Sequence, residues 1–303
     1  MTRDTMRHLL TAALLVPLAA LAASPAAAAC PDEAAMATAA RALLANQRIQ
    51  PVAESMSLAD GLCAQNRLVA AMRETLGRPV GWKVGLTNDA AQARFRVPHP
   101  LAGPIYEATV RARSGATIAT PYAAVPTVEA DLIVRVRDEA INELGRDGAA
   151  PDHAAILAHL DQVIPFIEMP DLALADMARM DGPNLLAIGV GARLGVVGEP
   201  IEPPRAPAEA AAFAARLGSM TVTFADDTRE LSRAPGTALL GHPLNVVPWL
   251  VQDLRARGTS LRAGDLISLG GFSPALPGQA GRTYTSTYTG LADQPVSVTV
   301  TLR

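Results

Sequence analysis

The sequence predicts an α+β fold, with an N-terminal helical segment over residues 30–79 and a larger domain over 80–303 built on a folded-over mixed sheet. Three observations predict it. Between residues 32 and 76 apolar residues recur at helical spacing. After residue 79 short β-like runs dominate, at 80–86, 128–136, 163–169, 185–197, 220–225, 264–270, 283–289 and 296–302. Only three helical stretches interrupt them, at 152–161, 207–217 and 243–257, in an irregular order and not the strand–helix alternation of a doubly wound sheet.

Each element has a local reason. Residues 1–29 read as a cleaved signal peptide: Arg3, Arg7 and His8 precede an apolar stretch from Leu9 to Ala22, and small residues lead to a cleavage point after Ala29. That predicts a periplasmic or secreted protein without stable membrane insertion after cleavage. The alternatives are an uncleaved N-terminal membrane anchor, for which the apolar run is short against a span of about 20 residues, and a lipid anchor on Cys30, which lacks a leucine three residues before it. In an exported chain the only two cysteines, Cys30 and Cys63, pair more often than not, although sequence does not show that they meet. The first helix spans 32–47, with Met36, Ala39, Ala40, Leu43 and Leu44 in register. The second begins at a capping box, Ser57 with Asp60, and stops at Gly77 and Pro79. The helix over 243–257 has Pro243 in its first turn, Gly258 past its end and a buried stripe of Val247, Leu250, Val251 and Leu254. The last run, "VSVTVTL", alternates as a half-exposed strand does.

The composition excludes some partners. A net charge of −3 gives no electrostatic reason for nucleic acid or an anionic membrane surface, and 4% aromatic residues make no base-stacking platform. No nucleophile elbow, phosphate loop or zinc spacing is present, and "GVGARLG" lacks the strand–helix context of a dinucleotide loop.

The chemistry concentrates in three stretches. In "PTVEADLIVRV" Glu129 and Asp131 alternate onto one face of a strand, about 7 Å apart along it. Two such carboxylates either share a solvated face with Arg135 and Arg137 or hold a hard divalent cation. In "VIPFIEMPD" Glu168 stands among apolar residues, where a carboxylate needs either an arginine partner or a metal ion. In "VGWKVGLT" Lys83 lies on the face shared by Gly81, Gly85 and Thr87, so the glycines leave open space beside its ammonium. A solvent-facing lysine flanked by bends is the alternative. His242, in "LGHPLN", either caps the helix that follows or lies near the pocket.

Taken in order, "GWKVGLT" (81–87), "GPIY" (103–106), "VEADLIV" (128–134), "IPFIEMPD" (164–171), "LGHPLNVVPWL" (240–250) and "LRAGDLISLGG" (261–271) resemble the fumarylacetoacetate hydrolase superfamily, in its 2-keto-4-pentenoate hydratase branch. The resemblance implies a mixed β-roll, a homo-oligomer, a centre holding Mg²⁺ or Mn²⁺ on Glu129, Asp131 and Glu168, and Lys83 as the catalytic lysine. It also implies a small 2-keto acid substrate, with contacts from Thr87, Gly191, Ala192 and His242, and a Lys83 that sits in a desolvated pocket near the cation, with a depressed pKa that lets it move protons. The expected reaction is hydration of a 2-hydroxy-2,4-dienoate to a 4-hydroxy-2-keto acid. Carbon–carbon hydrolysis or decarboxylation at the same metal, and non-catalytic binding of keto acids, are the alternatives. Two positions depart from the hydratase pattern. Leu101 and Ala102 stand where an acidic residue precedes the glycine, and residues 189–192 read Gly-Val-Gly-Ala where relatives carry Asn and Ser.

Overall fold

The computed structural model describes residues 30–53 and 55–303, so the expected signal peptide lies outside the described residues. No helix among the described residues is long and apolar enough to cross a membrane.

The two N-terminal helices form where their caps place them. Asp32 accepts from the Ala35 N–H to start helix Glu33–Leu44. Ser57 and Asp60 complete the reciprocal capping box of helix Leu58–Leu76, and Gly77 ends it at a φ of 81°. Cys30 and Cys63 form a disulfide that ties the start of the described chain to the second helix. Met36, Leu43, Leu68 and Met72 of these helices share one apolar core with Leu101, Tyr106, Leu185, Leu186 and Val190.

The rest of the chain builds two sheets. The larger runs Leu101–Tyr106, Pro79–Gly85, Leu266–Ser268, Thr127–Val136, Leu160–Met169, Leu194–Val197 and Ala112–Arg113, with Leu276–Pro277 also paired to Thr127–Val136. It is mixed: Pro79–Gly85 runs parallel to Leu266–Ser268, while Thr127–Val136 is antiparallel to Leu266–Ser268 and to Leu160–Met169. The smaller sheet orders Ala116–Ile118, Val296–Leu302, Thr283–Thr289, Thr221–Asp226 and Glu230–Pro235. One core lies across both sheets, joined by Phe213 and Leu217 and by the predicted stripe Val247, Leu250, Val251 and Leu254. Tyr288, from the smaller sheet, locks the two together: its hydroxyl donates to the Asp131 carbonyl and accepts from the Phe166 N–H at 3.2 Å.

The structure corrects one predicted strand. Residues 185–197 are not a single strand: helix Gly182–Ala187 occupies the start, and only Leu194–Val197 is extended. Asp181 caps that helix by accepting from the Asn184 N–H at 3.1 Å, with Pro183 in its first turn. Periodicity cannot separate a short buried strand from a buried helix in so apolar a run. Helix Asp89–Arg94, capped by Asn88, and strand Leu101–Tyr106 are also additions to the predicted set. The helix predicted at 243–257 begins with a 3₁₀ turn, Pro243–Asn245, and continues as Val246–Ala256.

Candidate metal and keto-acid site

Strand register assembles the charged groups. Glu129 pairs directly with Glu168 on the neighbouring antiparallel strand, and Asp131 lies two residues further along the same strand face. Lys83 is in register with Ser268 on the parallel strand between them. All four ionisable side chains are buried, and Asp131 is 0% exposed. The Lys83 Nζ stands 2.7 Å from Glu168 Oε1 and 3.8 Å from Glu129 Oε1. Glu129, Asp131 and Glu168 each present an oxygen within 4.8 Å of the others.

Asp131 is the most tightly held of the three. Ser268 Oγ donates to its Oδ2 at 2.6 Å, and the Gly270 and Leu132 N–H groups donate to its Oδ1. Glu168 is the least satisfied, since its Oε2 is buried with no hydrogen-bond partner. Burial pushes the Glu168 carboxyl up to about 8 against the pull of the Lys83 ammonium, and the charge of Glu129 adds to the rise. Burial, then the charge of Glu168, pushes Asp131 up to about 7. Burial raises Glu129 as well.

Three buried carboxylates against one ammonium are short of positive charge, and one of their oxygens has no donor. Hard oxygen ligands from two adjacent strands suit a divalent cation such as Mg²⁺ or Mn²⁺. The donor set therefore fits the expected metal.

A cavity of about 590 Å³ opens over this cluster. Lys83 and Glu129 line it, together with Thr87, Asn88 and Ser273. Most of the remaining wall is apolar, from Leu86, Phe95, Leu172, Leu185 and Val190. Asp131 and Glu168 lie behind the lining.

Lys83, Glu129, Asp131 and Glu168 are thus brought together, and Thr87 joins the cavity they floor. The other expected contacts are placed elsewhere. Gly191 and Ala192 do not line the cavity; their neighbour Val190 does. The Gly191 carbonyl accepts from the Asp171 N–H, and the Ala192 N–H donates to Gly189. His242 is a structural cap. Its Nδ1 accepts from the Leu244 N–H at 3.1 Å, its Nε2 donates to the Ala214 carbonyl at 2.9 Å, and its ring stacks on His153. Burial lowers its pKa, so both nitrogens stay committed to the backbone.

Two features of the lysine stretch are set by its neighbours. A methyl group on Gly81 would come within 2.0 Å of the Leu266 carbonyl oxygen, and one on Gly85 within 2.8 Å of Val190 Cγ1. Gly81 permits close approach of the Leu266 backbone and Gly85 that of Val190, and the cavity lies against Lys83, Gly85, Leu86 and Thr87. Among the protein's own groups, burial works to lower the Lys83 pKa, and the charges of Glu168 and Glu129 raise it further than burial lowers it; a cation held by those carboxylates would oppose that rise. The sequence reading missed Ser268, Val190, Phe95 and Leu172. Ser268 carried a signal, because it stands inside the quoted "LRAGDLISLGG"; the apolar wall carried none that separates it from core.

No protein-family model matches the chain. A 2-keto-4-pentenoate hydratase of Paraburkholderia phymatum is 30% identical over 254 residues, covering 81% of this chain and 88% of that protein. A 2-hydroxyhexa-2,4-dienoate hydratase of Comamonas testosteroni is 23% identical over 231 residues, 75% of this chain and 81% of its own length. Among solved structures, 4-oxalocrotonate decarboxylase from Pseudomonas putida G7, complexed with magnesium and adipate, superposes with a TM-score of 0.74 at 24% identity, over 89% of this chain and 97% of that one. The shared fold and the identity spread along most of both chains carry one conclusion: this chain is an enzyme of the 2-keto-4-pentenoate hydratase branch of the fumarylacetoacetate hydrolase superfamily.

Proposed function

We propose that the chain is an exported, divalent-metal-dependent hydratase that adds water to a 2-hydroxy-2,4-dienoate to give a 4-hydroxy-2-keto acid. The observation that carries this reading is the buried triad Glu129, Asp131 and Glu168 with its unpartnered Glu168 oxygen, set beside Lys83 at the floor of a cavity. Those three carboxylates would hold Mg²⁺ or Mn²⁺, which supplies Lewis-acid polarisation of a 2-keto acid's carboxylate and keto oxygen. Ser268 and the Gly270 N–H keep Asp131 in one orientation. Lys83 holds a proton at Nζ, which stands 2.7 Å from Glu168 Oε1. From there it hands a proton to carbon 5 of the dienol and recovers one from water as the water's hydroxyl adds at carbon 4, while the proton of the 2-hydroxyl passes to carbon 3 and leaves the 2-keto group. Thr87 offers a hydroxyl at the cavity wall, while Ser273 Oγ accepts from the Ala130 N–H and donates to the Pro274 carbonyl, and the apolar residues around them keep bulk water off the charged floor.

The Cys30–Cys63 disulfide supports export, since such bonds persist in oxidising compartments. We read residues 1–29 as the cleaved signal, 30–79 as a helical segment and 80–303 as the catalytic domain of a homo-oligomer. Decarboxylation of a 2-keto acid is the second reading. It is favoured by Leu101 and Ala102, both buried and apolar, which leave no additional acid before Gly103 to direct water. The deciding experiment follows the ultraviolet absorbance of a 2-hydroxy-2,4-dienoate with purified protein, first with Mg²⁺ and then with EDTA, and identifies the product. Metal-dependent formation of a 4-hydroxy-2-keto acid supports hydration. Release of carbon dioxide from a 2-keto diacid, with no hydration, replaces it by the second reading.

A further inference from the structure

The cavity is built for more than a keto acid head. Its volume of about 590 Å³ falls within the range of drug-sized ligand sites, roughly 300–1,000 Å³, well beyond what a five-carbon acid fills. The cavity is also divided by chemistry, with Lys83 and Glu129 at its floor and Leu86, Phe95, Leu172, Leu185 and Val190 along its wall.

Two of those wall residues hold strained backbone. Leu86 has a φ of 61° and Val190 a φ of 57°, in the left-handed region. A β-branched residue is a marked outlier there, whereas glycine or asparagine would sit at lower cost. Strain of this kind persists where the surrounding structure enforces it, and it clusters at functional sites. At Val190 it sets an isopropyl group on the cavity wall, packed against Gly85. At Leu86 it breaks the strand alternation and turns toward the cavity a side chain that a continued strand would place on the opposite face.

We propose that the substrate carries an apolar substituent at the end remote from its 2-keto acid group, and that Val190 and Leu86 are specificity-determining residues for that tail. The inference rests on the keto-acid reading above. A second carboxylate at the remote end is the competing occupant, because the Arg94 guanidinium stacks 5.5 Å from the Phe95 ring at the cavity rim. Arg94 is exposed, however, while the inner wall is buried and apolar, so the tail meets hydrocarbon before it reaches a charge.

Calorimetric titration of the full chain in excess Mg²⁺ tests this with three unreactive acids: 2-oxopentanoate, 2-oxooctanoate and 2-oxoadipate. The expected result is tighter binding of 2-oxooctanoate, about fourfold for each added methylene that the wall covers, the factor that about 0.8 kcal/mol gives at 25 °C. 2-Oxoadipate should bind no better than 2-oxopentanoate. Val190→Asn, at a φ that asparagine tolerates, should narrow the octanoate-to-pentanoate ratio, and so should Leu172→Ala at a half-buried point of the same wall. Equal affinity for 2-oxopentanoate and 2-oxooctanoate overturns the tail site, and a preference for 2-oxoadipate reassigns it to Arg94. Binding of Mg²⁺ with none of the three acids overturns the keto-acid reading itself.

Discussion

Replacing Glu168 by glutamine keeps the side chain's shape and removes one buried ionisable group, so it isolates what that charge costs. In an unfolded chain this carboxyl loses its proton near its ordinary value of 4.5, whereas in the folded protein burial and Glu129 hold it up to about 8. Between those two values the folded state keeps a proton that the unfolded state has released, so stability falls as pH rises through the window. Below it both states are protonated, and above it neither is. At about 1.4 kcal/mol per pH unit, the shift from 4.5 to about 8 amounts to a loss on the order of 5 kcal/mol across the window. Asp131 and Glu129 remain in both proteins, so the difference between the two pH profiles reports Glu168 and its coupling to them. Urea unfolding of wild type and Glu168→Gln, at each end of the window, in EDTA and in excess MgCl₂, is the assay. In EDTA the wild type should lose several kcal/mol that the variant keeps. With Mg²⁺ the wild type should recover that loss, because the cation supplies the missing positive charge, and the variant should respond little. Parallel pH profiles for the two proteins in EDTA would refute the claim that Glu168 is held protonated by its burial.

Other perturbations separate the roles of neighbouring groups. Lys83→Met should abolish turnover of the dienoate, followed by ultraviolet absorbance, while calorimetry still detects Mg²⁺ binding, because the three carboxylates are untouched. Ser268→Ala removes the 2.6 Å hydrogen bond that orients Asp131, and loss of such a supporting partner should weaken Mg²⁺ affinity by about 10–100-fold. Exchanging both cysteines for serine opens a crosslink across a sequence separation of 33, which loop-closure entropy values at about 3–4 kcal/mol; the urea midpoint should fall accordingly. Gly103→Ala would set a methyl 2.1 Å from the Gly189 carbonyl oxygen, and the expected outcome is loss of soluble folded protein, read by circular dichroism.

Much of the site was legible because its patterns are local. Alternation along Thr127–Val136 puts Glu129 and Asp131 on one face whatever surrounds the strand, and the apolar neighbours of Glu168 announce its burial. The capping box at Ser57 and the stripe on Val246–Ala256 likewise depend only on residues three or four apart. The errors arose where a short stretch is compatible with two surroundings. His242 sits in a matching motif, yet both its ring nitrogens are taken by backbone groups, one of them 28 residues away at Ala214. The run after Asp181 is apolar enough for strand or helix, and a cap and a proline decided for helix.

The sequence by itself determined the candidate carboxylates, the candidate lysine and the main helices, which follow from residue type and spacing, and the family entered as a resemblance of its ordered motifs. Tertiary structure alone decided that Glu168 faces Glu129 across a register, that Ser268 steadies Asp131, and that Val190, a member of the core shared with the N-terminal helices, also lines a cavity with Leu172. It also set the charges that bear on Lys83, whose ammonium Glu168 and Glu129 favour against its burial. The physical reason is that burial and charge act over distances in space: a lysine's protonation depends on how many carboxylates the other strands bring to it, and no stretch of its own neighbours records that sum.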